Sequence, residues 1–166
     1  MNRRRLISIG LSAALFASIR NVRATPATTA ELSPALDLSA DASGIGSRPR
    51  LVIVLFSLPD CPYCEAIRRE QLIPLARDAG QADRLVVREV SITGARTLLD
   101  FRGMPTTERE FARATPAKFS PTVAFFNPAG QQVVPAIVGA RLPDFYGAYL
   151  DEAIRSAIAK VGEYAR

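Results

Sequence analysis

Between Leu51 and Leu72 the chain runs LVIVLFSLPDCPYCEAIRREQL, and this stretch limits the possible folds more than any other. An unbroken apolar run, Leu51 to Phe56, stops at Ser57-Leu58-Pro59-Asp60 and leads at once into Cys61-Pro62-Tyr63-Cys64. A run without polar alternation predicts a strand covered on both faces, as in a parallel sheet between helices. The next segment predicts a helix beginning at Cys61, with Pro62 at its first position, where a missing N–H costs nothing. Cys64, Ile67 and Leu72 are expected on its inner face. Glu65, Arg68 and Arg69 are expected outside, at helical pairing distances. Pro74 must kink or end this helix, with Leu75 to Asp78 as a second short piece.

Cys61 and Cys64 are the only cysteines among 166 residues, and the chain has no histidine. A structural zinc site needs four Cys or His ligands. Haem attachment needs a histidine directly after the second cysteine, where Glu65 stands. A cysteine hydrolase needs a histidine base. No metal or other cofactor is therefore expected, and a disulfide remains, structural or redox-active. So short a loop removes little unfolded-chain entropy, so it makes a poor structural staple. A helix start is also where backbone N–H groups and the positive dipole end favour the thiolate of Cys61. Both points favour redox chemistry.

The formal charge of +5 comes from the first 24 residues. Arg3, Arg4, Arg5, Arg20 and Arg23 lie there, and no acidic residue precedes Glu31. Removing those five from 21 basic residues leaves 16 against 16 acidic, a balance of zero. A nucleic-acid surface needs basic residues clustered on the folded part, so no nucleic-acid partner is expected. The arginines flank a 14-residue apolar stretch, Leu6 to Ile19, shorter than the roughly 20 residues of a membrane span. With Val22-Arg23-Ala24 following, residues 1–24 read as a cleavable signal peptide. Arg3-Arg4-Arg5-Leu6-Ile7 resembles the twin-arginine export signature. The expected location is a bacterial periplasm.

Residues 25–48, rich in Ala, Ser, Thr, Pro and Gly, predict a flexible leader, with a short helix near Glu31 to Leu38 as the only candidate element. A domain of residues 49–166 is long enough to bury a core. Leu85 to Ile92 predicts the second strand. Thr97 to Pro105 predicts a turn of helix and a loop, and Thr107 to Glu110 is a capping box opening a short helix through Ala114. Thr122 to Phe126 and Gln131 to Gly139 predict a hairpin around Asn127-Pro128-Ala129-Gly130, with Pro135 marking an edge strand. Leu142 to Val161 predicts a closing helix with Leu142, Phe145, Tyr149, Ala153, Ile154 and Ile158 inward. The fold class is α/β, with one βαβ unit, a hairpin and a terminal helix.

From about Arg50 onward the chain resembles the thioredoxin superfamily. The resemblance rests on the strand, Cys61-Pro62-Tyr63-Cys64 and its helix, on Ser120-Pro121-Thr122 leading into a strand, on the hairpin ending at Val138-Gly139, and on the terminal helix. It implies a thioredoxin fold, a central mixed sheet of about four strands flanked by helices. It implies that the peptide bond before Pro121 is cis and faces the dithiol. It also implies a thiol-disulfide oxidoreductase, in which Cys61 exchanges with a partner sulfur and Cys64 resolves the mixed disulfide. Pro62 and Tyr63 would shape the contact surface, and Ser120, Pro121 and Thr122 would line the client site, the backbone of Ser120 pairing with the client chain. The tetrapeptide is shared with glutaredoxins, and the export signal resembles that of periplasmic thioredoxin-like proteins. Expected partners are client proteins with thiols or disulfides and a membrane or periplasmic electron donor. No exposed apolar segment demands a second copy, so a monomer is expected. The competing roles are a non-catalytic client-binding module and a disulfide-introducing oxidant.

Three departures bear on redox direction. Leu55 stands where thioredoxins often carry a buried acid, Asp60 where they carry tryptophan, and Tyr63 where strongly oxidising relatives carry histidine. Asp60 and Glu65 add negative charge beside Cys61, which opposes its thiolate. A reductant or exchange role is therefore expected over a primary oxidant.

Overall fold

The structure, a computed structural model, describes residues 31–44, 48–115, 117–140 and 145–164. The expected signal peptide lies outside them, as do residues 25–30 and 45–47 of the expected leader. Strand β1, Leu51–Ser57, is buried at every position. It runs parallel to β2, Leu85–Ser91, with Leu51 opposite Leu85. On its other side it runs antiparallel to β5, Thr122–Phe126. The short β6, Ile137–Val138, completes a four-stranded sheet in the order β2-β1-β5-β6.

Because side chains alternate along a strand, β1 feeds two cores. Leu51, Ile53 and Leu55 pack with Ile67 and Leu72 from the helix after the cysteines, and with Tyr146, Leu150, Ile154 and Val161 of the terminal helix. Val52, Val54 and Phe56 pack on the opposite face with Leu38, Ala42, Phe111 and Phe126. Four rings, Phe56, Phe101, Phe111 and Phe126, stand with centroids 5.3–6.5 Å apart in that second core, within the range of favourable aromatic pairs.

Helix α2, Pro62–Ile67, begins where expected, with Cys61 as its N-cap and Pro62 in its first turn. It does not break at Pro74. A π-helical turn, Arg68–Leu72, widens the coil before α3, Ile73–Arg77, so that the Ile73 N–H reaches back to the Arg68 carbonyl. A wider turn accommodates a ring that would otherwise meet the carbonyl four residues earlier.

Several elements differ from expectation. The leader is part of the fold from residue 31 to 44. Its helix α1 is Leu38–Ser43, capped by the Asp37 side chain, rather than Glu31 to Leu38. Ser33 to Ala35 exchange backbone hydrogen bonds with Glu89 and so cover the open edge of β2, and Ala35, Leu38 and Ala42 are fully enclosed. Arg88 then clamps buried Asp41 with two bonds of 2.5 and 2.8 Å. A few apolar side chains sufficed because they pack with Val52, Val54, Phe56 and Phe111, distant partners that composition alone does not register. Thr97 to Pro105 forms a small hairpin, β3 Thr97–Leu99 against β4 Pro105–Thr107. The Asp100 carboxylate closes its turn by accepting from the Arg102 and Met104 N–H groups, at 2.8 and 2.9 Å. Gln131 to Ala136 pairs only loosely with β5, because Pro135 has no N–H to donate.

The capping box holds as read, opening α4, Glu108–Ala114. The terminal helix α5, Tyr146–Tyr164, keeps Ile154 inward as expected, with Ala153 and Ile158 partly buried against the first core, but the rest of its inner face differs from expectation. Tyr146, Leu150, Ile154, Ala157 and Val161 are buried, whereas Phe145 and Tyr149 are exposed. Leu142 lies outside the described residues.

Two outcomes test this packing. Leu38→Ala should lower stability by about 2–4 kcal/mol, the cost of a buried cavity, in chemical denaturation; a flexible leader would show almost no loss. Tyr146 is buried and its hydroxyl has no hydrogen-bond partner among the described residues. Burial pushes its pKa above the ordinary value, so its contribution is complete below about pH 10 and is lost as pH rises beyond it. Tyr146→Phe should leave neutral-pH stability unchanged or raised by up to about 1 kcal/mol, and should flatten the loss of stability at alkaline pH.

Candidate active site

The end of β1, the start of α2 and the loop before β5 meet at one corner of the sheet. Cys61 and Cys64 are joined as a disulfide with Cα atoms 5.3 Å apart. Their surroundings differ sharply. Cys64 is fully enclosed, while Cys61 is half-buried and reaches the surface. Cys61 is the helix N-cap, and its Sγ accepts the Cys64 N–H at 3.2 Å. A donor placed there lowers the cost of negative charge on Cys61 sulfur when the pair is reduced.

The loop before β5 supplies the opposite wall. The Ser120–Pro121 peptide bond is cis. Ser120 Oγ lies 3.0 Å from Cys64 Sγ and 3.9 Å from Cys61 Sγ. Sequence reasoning placed Ser120 in the site through its backbone; the contact of its hydroxyl with both sulfurs depends on how the loop folds back. The Pro121 carbonyl accepts from Gly139 N–H at 2.7 Å, tying the loop to β6. Thr122, expected to line the client site, is enclosed, and its hydroxyl donates to the Phe119 carbonyl at 2.7 Å. It shapes the loop and presents no side chain outward.

Pro62 and Tyr63 are exposed beside the sulfurs. Phe119 and Val138, which sequence reasoning passed over, are exposed as well. Their signal was adjacency: Phe119 directly precedes Ser120, and Val138 sits opposite Thr122 in the sheet. An open hollow of about 430 Å³ flanks Cys61 on its other side, lined by Leu58, Asp60, Glu65 and Arg68 among others. Asp60 holds a left-handed backbone, φ 54°, which Asp tolerates better than most residues.

Leu55 is buried in the first core, so no acid stands at its position. Its neighbour in the parallel register is Glu89. Glu89 accepts from Ser57 Oγ at 2.5 Å and from Arg68 Nη2 and Nε at 2.5 and 2.9 Å. Arg68 also pairs with Glu65. Hydrogen bonding to Glu89 raises the Arg68 pKa above its ordinary value, against the opposing pull of burial. A fixed charge pair therefore underlies α2 one turn beyond Cys64. Glu89→Ala should cost about 2 kcal/mol in a denaturation midpoint series, below the roughly 3–5 of a fully buried broken pair, because Glu65 still serves Arg68.

Among the described residues no group of three or more His, Cys, Asp or Glu side chains is placed to hold a metal ion. Residues 39–154 match the family model of the thioredoxin-like domain. Among solved structures the chain is similar to a thioredoxin from Malassezia sympodialis, at 18% identity over 76% of this chain and 96% of that one, TM-score 0.47. It is similar also to a mutant thioredoxin from Halobacterium salinarum, at 18% identity over 78% and 96%, TM-score 0.48. The DsbH oxidoreductase is a third, at 14% identity over 84% and 96%, TM-score 0.44. No curated protein matches the chain.

Proposed function

Because this chain belongs to the thioredoxin-like domain family, we propose that it is a thiol-disulfide oxidoreductase that reduces or exchanges the disulfides of client proteins. One observation carries this reading: an accessible Cys61 is bonded to a fully enclosed Cys64 at a helix start, opposite a cis-proline loop. That asymmetry separates the two sulfurs by role. In the reduced enzyme the Cys61 thiolate attacks a client disulfide. A Cys61–client bond forms, the client S–S bond breaks, and the leaving client sulfur takes up a proton. Cys64, deprotonated, then attacks Cys61 sulfur. The Cys61–Cys64 bond forms, and the second client sulfur leaves and is protonated. Two electrons and two protons have passed from the dithiol to the client.

The backbone of Ser120 beside Pro121 would pair with the client chain as a short bridge, with Tyr63 and Pro62 as exposed contacts. The Cys64 N–H favours the Cys61 thiolate less than a histidine at position 63 would, Asp60 opposes it, and Arg68 offsets the charge of Glu65. The expected potential lies on the reducing side of about −200 mV. The arginine-flanked apolar start of the chain supports export to a periplasm, where clients and an electron donor would be met.

Insulin reduction by the purified protein tests the activity, and a non-catalytic binding module would show no turnover. Cys61→Ser should reduce the rate to background. Cys64→Ser should accumulate a mixed disulfide visible on a non-reducing gel, and the trapped proteins would identify the clients. A measured potential at the strongly oxidising end of the family would overturn the reductant assignment.

A further inference from the structure

The hollow beside Cys61 shares two of its walls, Glu65 and Arg68, with a larger cleft of about 510 Å³, within the general range of ligand sites. The far walls come from parts of the chain outside the β1–α2 unit: Glu31 of the N-terminal segment, Glu89 at the end of β2, Arg96 ahead of β3, and Glu108 at the start of α4. Its charges do not balance. Four carboxylates, Glu31, Glu65, Glu89 and Glu108, face two guanidiniums, Arg68 and Arg96, and Asp60 adds a further negative charge in the adjoining hollow. Arg68 is committed to Glu65 and Glu89.

Glu108 is poorly served. Its side chain is only 7% exposed, and Arg96, itself 52% exposed, reaches its Oε1 no closer than 3.7 Å. The Ser91 N–H stands 3.4 Å from the same oxygen. Both contacts are long beside the roughly 2.7–2.9 Å of a charge-assisted hydrogen bond. The carboxylate is nonetheless built into place, since a Cβ at Gly94 would stand 2.1 Å from its Oε2. Both of its partners are long contacts on Oε1, and a cation carrying several N–H donors would offer shorter ones.

We propose that this cleft is a client-recognition site. It takes a lysine or arginine side chain lying near the reactive cysteine of a polypeptide client and seats its cation on Glu108 in place of the loosely held Arg96. Glu31 and Glu65 line the way in, and the surplus of negative charge draws a basic segment toward Cys61. The inference rests on the oxidoreductase reading, because the client must be held at Cys61 for its neighbours to reach the cleft.

The test uses two disulfide-linked peptides that differ only in carrying arginine or glutamate beside the cysteine, with kcat/KM measured for each. The arginine peptide should react about fivefold faster or more, and the ratio should shrink at high ionic strength. Glu108→Gln should bring the ratio toward one. Arg96→Ala should raise the rate with the arginine peptide, a gain that general damage to the fold would not produce. If Glu108→Gln does not fold, the Glu31→Gln, Glu65→Gln double variant takes its place with the same expected fall in the ratio. Equal rates for the two peptides, or a preference untouched by these substitutions, would overturn the cleft assignment alone. No exchange with either peptide or with insulin would overturn the oxidoreductase reading and this site with it.

Discussion

With both faces of β1 buried from Leu51 to Ser57, the strand has no freedom of register. A slip by one residue would carry Leu51, Ile53 and Leu55 into the aromatic core and Val52, Val54 and Phe56 into the core under α2 and α5. The position at which β1 ends therefore follows from packing along its whole length, and with it the position of Cys61. Helix α2 then lays Cys64 and Ile67 against the same core. The two sulfurs thus sit on either side of the boundary between core and water, which is the condition for giving them separate roles.

Charge around this corner is arranged in two layers. Half-buried beside α2, Glu89 holds Ser57 and Arg68, so the strand end and the helix are fixed to each other by a charge pair. Further out, Asp60 and Glu65 line the hollow beside Cys61, and Glu31 lines the adjoining cleft. The first layer positions the dithiol. The second bears on which client sequences approach it, and it draws on the N-terminal segment and on the segment between β2 and β5.

The parts legible from sequence were those whose signal is local. The continuous apolar run of β1, the Pro62 helix start and the Thr107–Glu110 capping box each act within a few residues, and each is found where the pattern put it. The parts misread depend on distant partners. Leu38 and Ala42 look sparse within an Ala- and Ser-rich leader, yet they fill a space bounded by Phe56 and Phe111. At the start of α5, Phe145 just before it and Tyr149 satisfy the helical spacing as well as Tyr146 and Leu150 do, and the sheet below selects the second pair.

The sequence by itself determined the thioredoxin-like architecture and the identity of the dithiol, because two cysteines at a helix start and no histidine leave few chemistries open. It also marked Pro121 through the family resemblance, and the bond before it is cis. Only the tertiary structure decided what touches the sulfurs and what surrounds them. Ser120 reaches Cys64 from 56 positions away, Glu89 takes a place beside Leu55 through parallel pairing, and Glu108 enters the cleft from the start of α4. Such neighbours are set by strand register and loop closure, long-range quantities that no local pattern of residues encodes.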